Sequence, residues 1–508
     1  MAKGGKIVKK ILSVVLVLTL CLGLFAACSA ADNGRPEGFT NFATSDEMDD
    51  LENYQFEEIV ENSFVSTSEE PNSYFSLDRN TAAYSLMRRQ IEMGLKINKG
   101  SVRLEEYINY FKYDYARPTG DDALATSGSV FDCPWNADHK LLTIGVAAEE
   151  VTFDNAKPNN IVFLIDTSGS MDWSDRLPLI QQAFTMLLDY LGDENVISIV
   201  TYAGDSRVAL EGARGMEKTR IANVLQDLMA QGSTNGAGGI EKAYAVAEKY
   251  FISGGNNRVI LATDGDFNVG VSSKNGLNSL ISSKRDSGIY LSVLGVGMFN
   301  TNDVTMETLA RNGNGNYAYI DNVSEARKVL VEELQGTINV VAKDAKIGVE
   351  FNPAVVSKYR LIGYDTKLLT QEQFEDAATD AGEIGSGHTV TAVYELELVD
   401  GATGKIADAE IRYKVPDNDG DDTNDVSKSV SHVFTTDDYT VSPNNDSLFI
   451  SCVVEYGLIL RDSEYKGDAS FDNVISRLNS LSAYIEADQF KSEFAQIVKL
   501  ARALYLDD

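Results

Sequence analysis

Between Asn159 and Asn339 continuous apolar runs alternate with helical stretches, and this alternation constrains the fold more than any other feature of the chain. The runs are NIVFLID, VISIVTYAG, NRVILATDG, IYLSVLGVG and NYAYID. Between and after them, LPLIQQAFTMLLDYLG, TRIANVLQDLMA, GGIEKAYAVAEKYF and SEARKVLVEELQGTI read as helices. A strand with one solvated face alternates apolar and polar residues, whereas one covered by helices on both faces is apolar throughout. The pattern predicts a doubly wound α/β domain over 158–340, with its ligand site beyond the C-terminal ends of the strands.

The first strand ends in FLIDTSGSMD, where an ordinary turn would use Gly, Asn or Pro. Asp166, Ser168 and Ser170 instead present oxygens spaced two residues apart. Thr234 in QGSTNGAGG precedes a helix, and Asp264 in ILATDG ends another strand, so the predicted topology brings three hydroxyls and two carboxylates to one edge. A set of oxygens without nitrogen or sulfur suits Mg²⁺, Mn²⁺ or Ca²⁺ and disfavours zinc. Neutral hydroxyls compensate little of an ion's charge, which leaves it able to accept a carboxylate from outside. Asp266, two residues past Asp264, reads as a solvated turn acid, with an outer acid of this site or a ligand to a second ion as the functional alternatives. Asp172, Trp173 and Asp175 follow the loop closely enough to rim it. The glycine-rich GNGNYAYID and GSTNGAGG do not match a phosphate-binding loop, and no Lys is suitably placed. His139, His388 and His432 all fall outside the domain, and no Ser–His pair or activated Cys stands out. These features favour binding over catalysis. The rival reading is a metal-dependent enzyme, or an accessory subunit of one, with the ion as Lewis acid.

Asp-x-Ser-x-Ser, a distant Thr, and an Asp followed by Gly resemble the metal-ion-dependent adhesion site of von Willebrand factor type A domains. The resemblance implies a divalent ion held directly by the hydroxyls and partly through water by the acids. An acidic side chain of a protein partner, Asp or Glu, would complete the coordination. TAAYSLMRRQIEMG, VRLEEYINYF, CPWN, ILATDGDFNVGVSS, NGNYAYID, GEIGSGHTVTAVYE and GLILRDSEYKG are similar to bacterial YfbK-type lipoproteins. That resemblance implies an associated N-terminal region and a C-terminal domain on either side of the type A domain.

At 508 residues the chain is too long for one core, and 44% hydrophobic with 24% charged residues marks it as globular. Its formal charge of −32 argues against nucleic acid as a partner. Lys3, Lys6, Lys9 and Lys10, an apolar run and then Phe25-Ala26-Ala27-Cys28 read as a lipoprotein signal over 1–27, with Cys28 the lipidated residue. Cys28 fits this role better than Cys21, which follows the bulky Leu20. The expected location is lipid-anchored, on the extracytoplasmic face of a membrane. Residues 28–70, acidic and without apolar periodicity, are expected to be a flexible tether, and 71–127 a helical region. Strand-like stretches follow over 128–157 and again over 341–447, and 448–508 reads as helical. The two β stretches are expected to pair into one sandwich-like domain in which the α/β domain is inserted. Cys133 and Cys452 are expected to be free buried thiols, and the run 417–425 an acidic hairpin turn rather than a calcium loop.

Overall fold

The computed structural model describes residues 59–151, 157–233, 236–265, 274–297, 303–333, 336, 338–416 and 425–506. The expected leader, Cys28, Thr234, Asp266 and most of the acidic run 417–425 lie outside the described residues. The chain opens with β1 (Val65–Ser66), β2 (Asn72–Ser76), α1 (Ala82–Glu92), α2 (Leu104–Asn109), β3 (Leu124–Asp132) and β4 (Lys140–Ala148). The α/β segment follows with β5 (Asn159–Asp166), α3 (Leu177–Leu187), β6 (Val196–Tyr202), β7 (Ser206–Arg214), α4 (Lys218–Gln226) and α5 (Gly236–Lys249). It continues through β8 (Asn256–Thr263), α6 (Lys274–Asp286), β9 (Ile289–Gly295), α7 (Asp303–Asn312), β10 (Tyr317–Tyr319) and α8 (Val323–Arg327). Then come β11 (Val340–Phe351), β12 (Val356–Ile362), α9 (Gln371–Glu375), β13 (Gly382–Gly385), β14 (Thr389–Leu398), β15 (Lys405–Val415) and β16 (Val426–Thr435). Helices α10 (Asn445–Arg461), α11 (Phe471–Ser480), α12 (Ser482–Glu486) and α13 (Gln489–Leu506) end the described chain.

The α/β segment forms one sheet in the order β10-β9-β8-β5-β6-β7, parallel except for β7, which returns antiparallel to β6. Side chains of β5 alternate between two cores, as a strand buried on both faces requires. Ile161, Phe163 and Ile165 pack with Ile180, Phe184 and Leu187 of α3, while Val162 and Leu164 pack with Ile240, Ala243 and Tyr244 of α5. From β5 the chain builds outward through β6 and β7, then crosses to β8, β9 and β10 on the other side. The order therefore reverses between β5 and β8, and the C-terminal ends of those two strands are the switch point at which open α/β sheets take ligands.

The remaining strands form two further sheets. One runs β1-β12-β14-β4-β3, with β4 antiparallel to β14 from Lys140↔Leu396 to Ala147↔Thr389. The other runs β13-β11-β15-β16, with β2 sharing an edge of β11. Phe75, Leu142, Ile144, Ile347, Val349, Val390, Ile406 and Ile411, drawn from both sheets, occupy one core. Strands before and after the α/β segment thus share sheets.

Two expectations for the N-terminal part need correction. Residues 59–70, expected within the tether, are docked: β1 pairs with β12, Asn62 Nδ2 donates to Gly363 O at 2.9 Å, and Thr67 Oγ1 donates to Val356 O at 2.6 Å. Hydrogen bonds hold this segment together with Val65 on the β-rich core and Phe64 against His139 and Tyr465, and two adjacent apolar residues leave no periodicity to read. The region 71–127 is not helical throughout, since it opens with β2 on β11 and closes with the start of β3. Cys133 and Cys452 are free and buried. Among the described residues no helix is long and apolar enough to cross a membrane.

Candidate metal centre

Asp166 is the last residue of β5 and is fully buried. Its Oδ1 accepts from Ser168 N at 2.8 Å, which curls the chain back at the strand end, and its Oδ2 accepts from Thr263 Oγ1 at 3.1 Å. The turn that follows, Gly169–Asp172, is a short 3₁₀ stretch closed by Met171 N on Ser168 O at 3.0 Å. It sets Ser168 Oγ and Ser170 Oγ 3.0 Å apart. Two further bonds tie this loop to the segment before α5: Gly169 N to Gly232 O at 3.0 Å, and Gln231 N to Thr167 O at 2.7 Å. Thr234 itself lies outside the described residues, but the chain two residues before it is fastened to the loop.

Asp264 follows β8 and is also fully buried. Its Oδ2 accepts from Arg176 Nη1 at 2.6 Å, and the same nitrogen donates to Ser170 O at 2.7 Å. Thr263, next to Asp264, also accepts from Gly265 N at 3.2 Å. Tyr202, at the end of β6, is buried, and its phenol stands close enough to Asp166 and Thr263 to interact with both. Burial raises the Asp166 carboxyl to about 6; the Ser168 and Thr263 hydrogen bonds oppose this, and the neighbouring Asp264 charge reinforces it.

The arrangement can be tested against a divalent ion. Two ligands at right angles on an octahedral Mg²⁺, each at about 2.1 Å, stand about 3 Å apart. The Ser168 and Ser170 hydroxyls, hydrogen-bonded to each other at 3.0 Å, have a separation that two such ligands could keep. Among the described residues no group of three or more His, Cys, Asp or Glu side chains could hold a metal. The donors gathered here are hydroxyls with two acids, which is the hard-oxygen chemistry that the sequence predicts. The residues fit such an ion.

Of the five expected ligands, the structure gathers Asp166, Ser168, Ser170 and Asp264 at the C-terminal ends of β5 and β8. Asp172 and Trp173 stand exposed beyond the loop, Trp173 at 64%. Asp175 is half-buried and 3.6 Å from Arg89 of α1. Sequence reading missed Thr263, Arg176 and Tyr202. Arg176 was detectable as the cation that follows the serine loop and opens α3. The other two gave no signal apart from their places at strand ends.

The family model described as von Willebrand factor type A domain matches residues 160–335. One described as von Willebrand factor matches 50–143, and one described as Uncharacterized protein YfbK, C-terminal, matches 336–409 and 401–504. The chain is 37% identical over 469 residues to "Uncharacterized protein YfbK" of Escherichia coli (strain K12), covering 88% of this chain and 81% of that protein. It is 26% identical to "Uncharacterized protein sll0103" of Synechocystis sp., over 58% of this chain and 71% of that one. A solved structure, von Willebrand factor type A from Catenulispora acidiphila, aligns with a TM-score of 0.41 and 16% identity, covering 72% of this chain and 86% of that one. The chain therefore belongs to the YfbK family, with a von Willebrand factor type A domain between its N-terminal region and its YfbK C-terminal domain.

Proposed function

We propose that this protein is a cell-envelope binding module that captures an acidic group of a protein partner through a divalent cation, Mg²⁺ or else Mn²⁺ or Ca²⁺. Asp166, Ser168, Ser170, Thr234 and Asp264 would hold the ion, with Asp266 as an outer acid. The observation that carries this reading is the 3.0 Å pair of serine hydroxyls set beside two buried acids at the reversal point of the sheet. A bound cation there supplies a Lewis-acidic position that an external carboxylate can fill. The protein's own groups prepare it. Ser168 N and Thr263 Oγ1 fix the Asp166 carboxylate, and Arg176 fixes Asp264 and the Ser170 carbonyl. With both carboxylates engaged in this way, neither is placed as a general base, which favours binding over the enzymatic alternative. Exposed Trp173 and Asp172 form the rim that a partner would meet.

In this reading the α/β domain is an insert carried by the β-rich part, and a lipid on Cys28 anchors the whole to the extracytoplasmic face of the membrane. The test is recovery of a partner from envelope extracts. It is expected to be lost in EDTA, restored by Mg²⁺ and absent for Asp166→Ala; equal recovery in all three would overturn the proposal. The anchor is checked by mass spectrometry, which is expected to find Cys28 at the mature N-terminus with its lipid.

A further inference from the structure

Arg176 is placed against the ordinary preferences of its position. It occupies the N-cap of α3, where Ser, Thr, Asp or Asn is favoured and a cation opposes the helix dipole. Its side chain is nevertheless only 9% exposed, and the guanidinium is aimed at the metal loop, on Asp264 Oδ2 at 2.6 Å and Ser170 O at 2.7 Å. The fold makes room for it. At Gly297, whose φ is +68°, a Cβ would stand 2.4 Å from Arg176 Nε, so the stem passes through a slot that any side chain there would fill. The Arg176 backbone N–H donates to Trp173 O at 3.0 Å and its carbonyl accepts from Ile180 N at 3.0 Å, which locks both ends of the residue.

Charge shows what this placement does. Among the described residues at the centre, the Asp166 and Asp264 carboxylates face one guanidinium, which leaves a single negative charge. Asp175, farther along the loop, is offset by Arg89. Counting these groups alone, a divalent cation would leave one positive charge with Arg176 and none without it; Asp266 as an outer acid would lower both by one, so in either case Arg176 makes the loaded centre one charge more positive. On the metal reading above, we infer that Arg176 is a positioning residue that sets specificity. Its guanidinium offsets Asp264, so the loaded centre is one charge more positive than it would be without Arg176 and favours a carboxylate-bearing partner, at the expense of a weaker grip on the ion.

The two effects have opposite signs, and a purely structural role would not produce that. Mn²⁺ affinity is read by calorimetry on the full chain, and carboxylate affinity from water-proton relaxation of the Mn²⁺-loaded protein titrated with glutarate. Arg176→Gln is expected to bind Mn²⁺ about tenfold tighter and glutarate about tenfold weaker, the scale of outer-shell substitutions at metal sites. Arg176→Lys, which keeps the charge, is expected to stay near wild type in both. A joint fall of both affinities in Arg176→Gln, or an unchanged glutarate affinity, would overturn the assignment. Should Arg176→Gln fail to fold, Gly297→Ala displaces the guanidinium without removing it and is expected to shift the two affinities in the same opposed directions; a joint fall there would count equally against it. A wild-type chain that binds no Mn²⁺ would defeat the metal reading itself, an outcome distinct from the others.

Discussion

Asp166 shows how the site trades stability for binding. Burial raises its carboxyl to about 6 from the ordinary value of 3.8, so ionisation above that range costs the folded state more than the unfolded chain. Its unfavourable contribution is absent below the unfolded value, grows as pH rises towards 6 and is complete above it. Asp166→Asn keeps an oxygen for Ser168 N and removes the charge. It is expected to raise the melting temperature of the EDTA-treated protein at about pH 7.5, with the gain gone near pH 4, while abolishing metal binding. Scanning calorimetry at the two pH values checks this, and a lower melting temperature for Asp166→Asn at both would contradict it. Because ion binding needs the carboxylate, Mn²⁺ affinity is also expected to fall about tenfold per pH unit below about 6, as one proton competes. At this scale the clustering of Asp166, Ser168, Ser170 and Asp264 was legible because their types and their strand ends are local facts. Thr263 and Arg176 were not, since the acids they hold lie 97 and 88 residues away in sequence.

The strands of the α/β sheet were legible wherever both faces are covered, as in β5 and β8. β7 was not, because an antiparallel edge strand half open to solvent carries no continuous apolar run. Equally hidden were the ion pairs by which helices of this segment meet the β-rich part. Glu307 of α7 takes Lys367 Nζ at 2.8 Å, and Lys367 also reaches Asp78 at 2.8 Å. Burial alone would raise the Glu307 carboxyl, but the Lys367 and Arg103 charges outweigh it and bring it down to about 2 from 4.5. The sign is thus opposite to that of Asp166: the stabilisation is complete above about 4.5 and is lost as pH falls towards 2. Glu307→Gln is expected to cost about 3 kcal/mol near neutral pH by leaving Lys367 partly unpaired, and the difference from wild type is expected to shrink in acid. Urea unfolding at the two pH values measures it, and a pH-independent difference would refute the assignment.

Across the whole molecule, parts far apart in sequence meet at Arg88. Its guanidinium contacts Asp321 at 2.6 Å and Glu325 at 2.8 Å from the end of the α/β segment, and Glu493 of α13 at 2.7 Å. Arg88→Met leaves Asp321 and Glu325 buried without this partner and is expected to cost about 3–5 kcal/mol in urea unfolding. A loss under 1 kcal/mol would show that the junction is not a structural tie. The pairing of β4 with β14 could be anticipated, because the stretch before the α/β segment offers only a couple of strands, too few to stand alone. The docking of residues 59–70 could not, because it rests on individual hydrogen bonds and on two apolar side chains, Phe64 and Val65, too few to give a period. All of this framework carries the ends of β5 and β8, and the proposed function requires that an ion bind there. Calorimetric titration of the metal-stripped chain with Mn²⁺ tests that most directly. A single site is expected in the wild type, lost in Asp166→Ala and weakened at least about tenfold in Ser168→Ala and Thr234→Ala. No binding in the wild type, or equal binding in all four proteins, would contradict it.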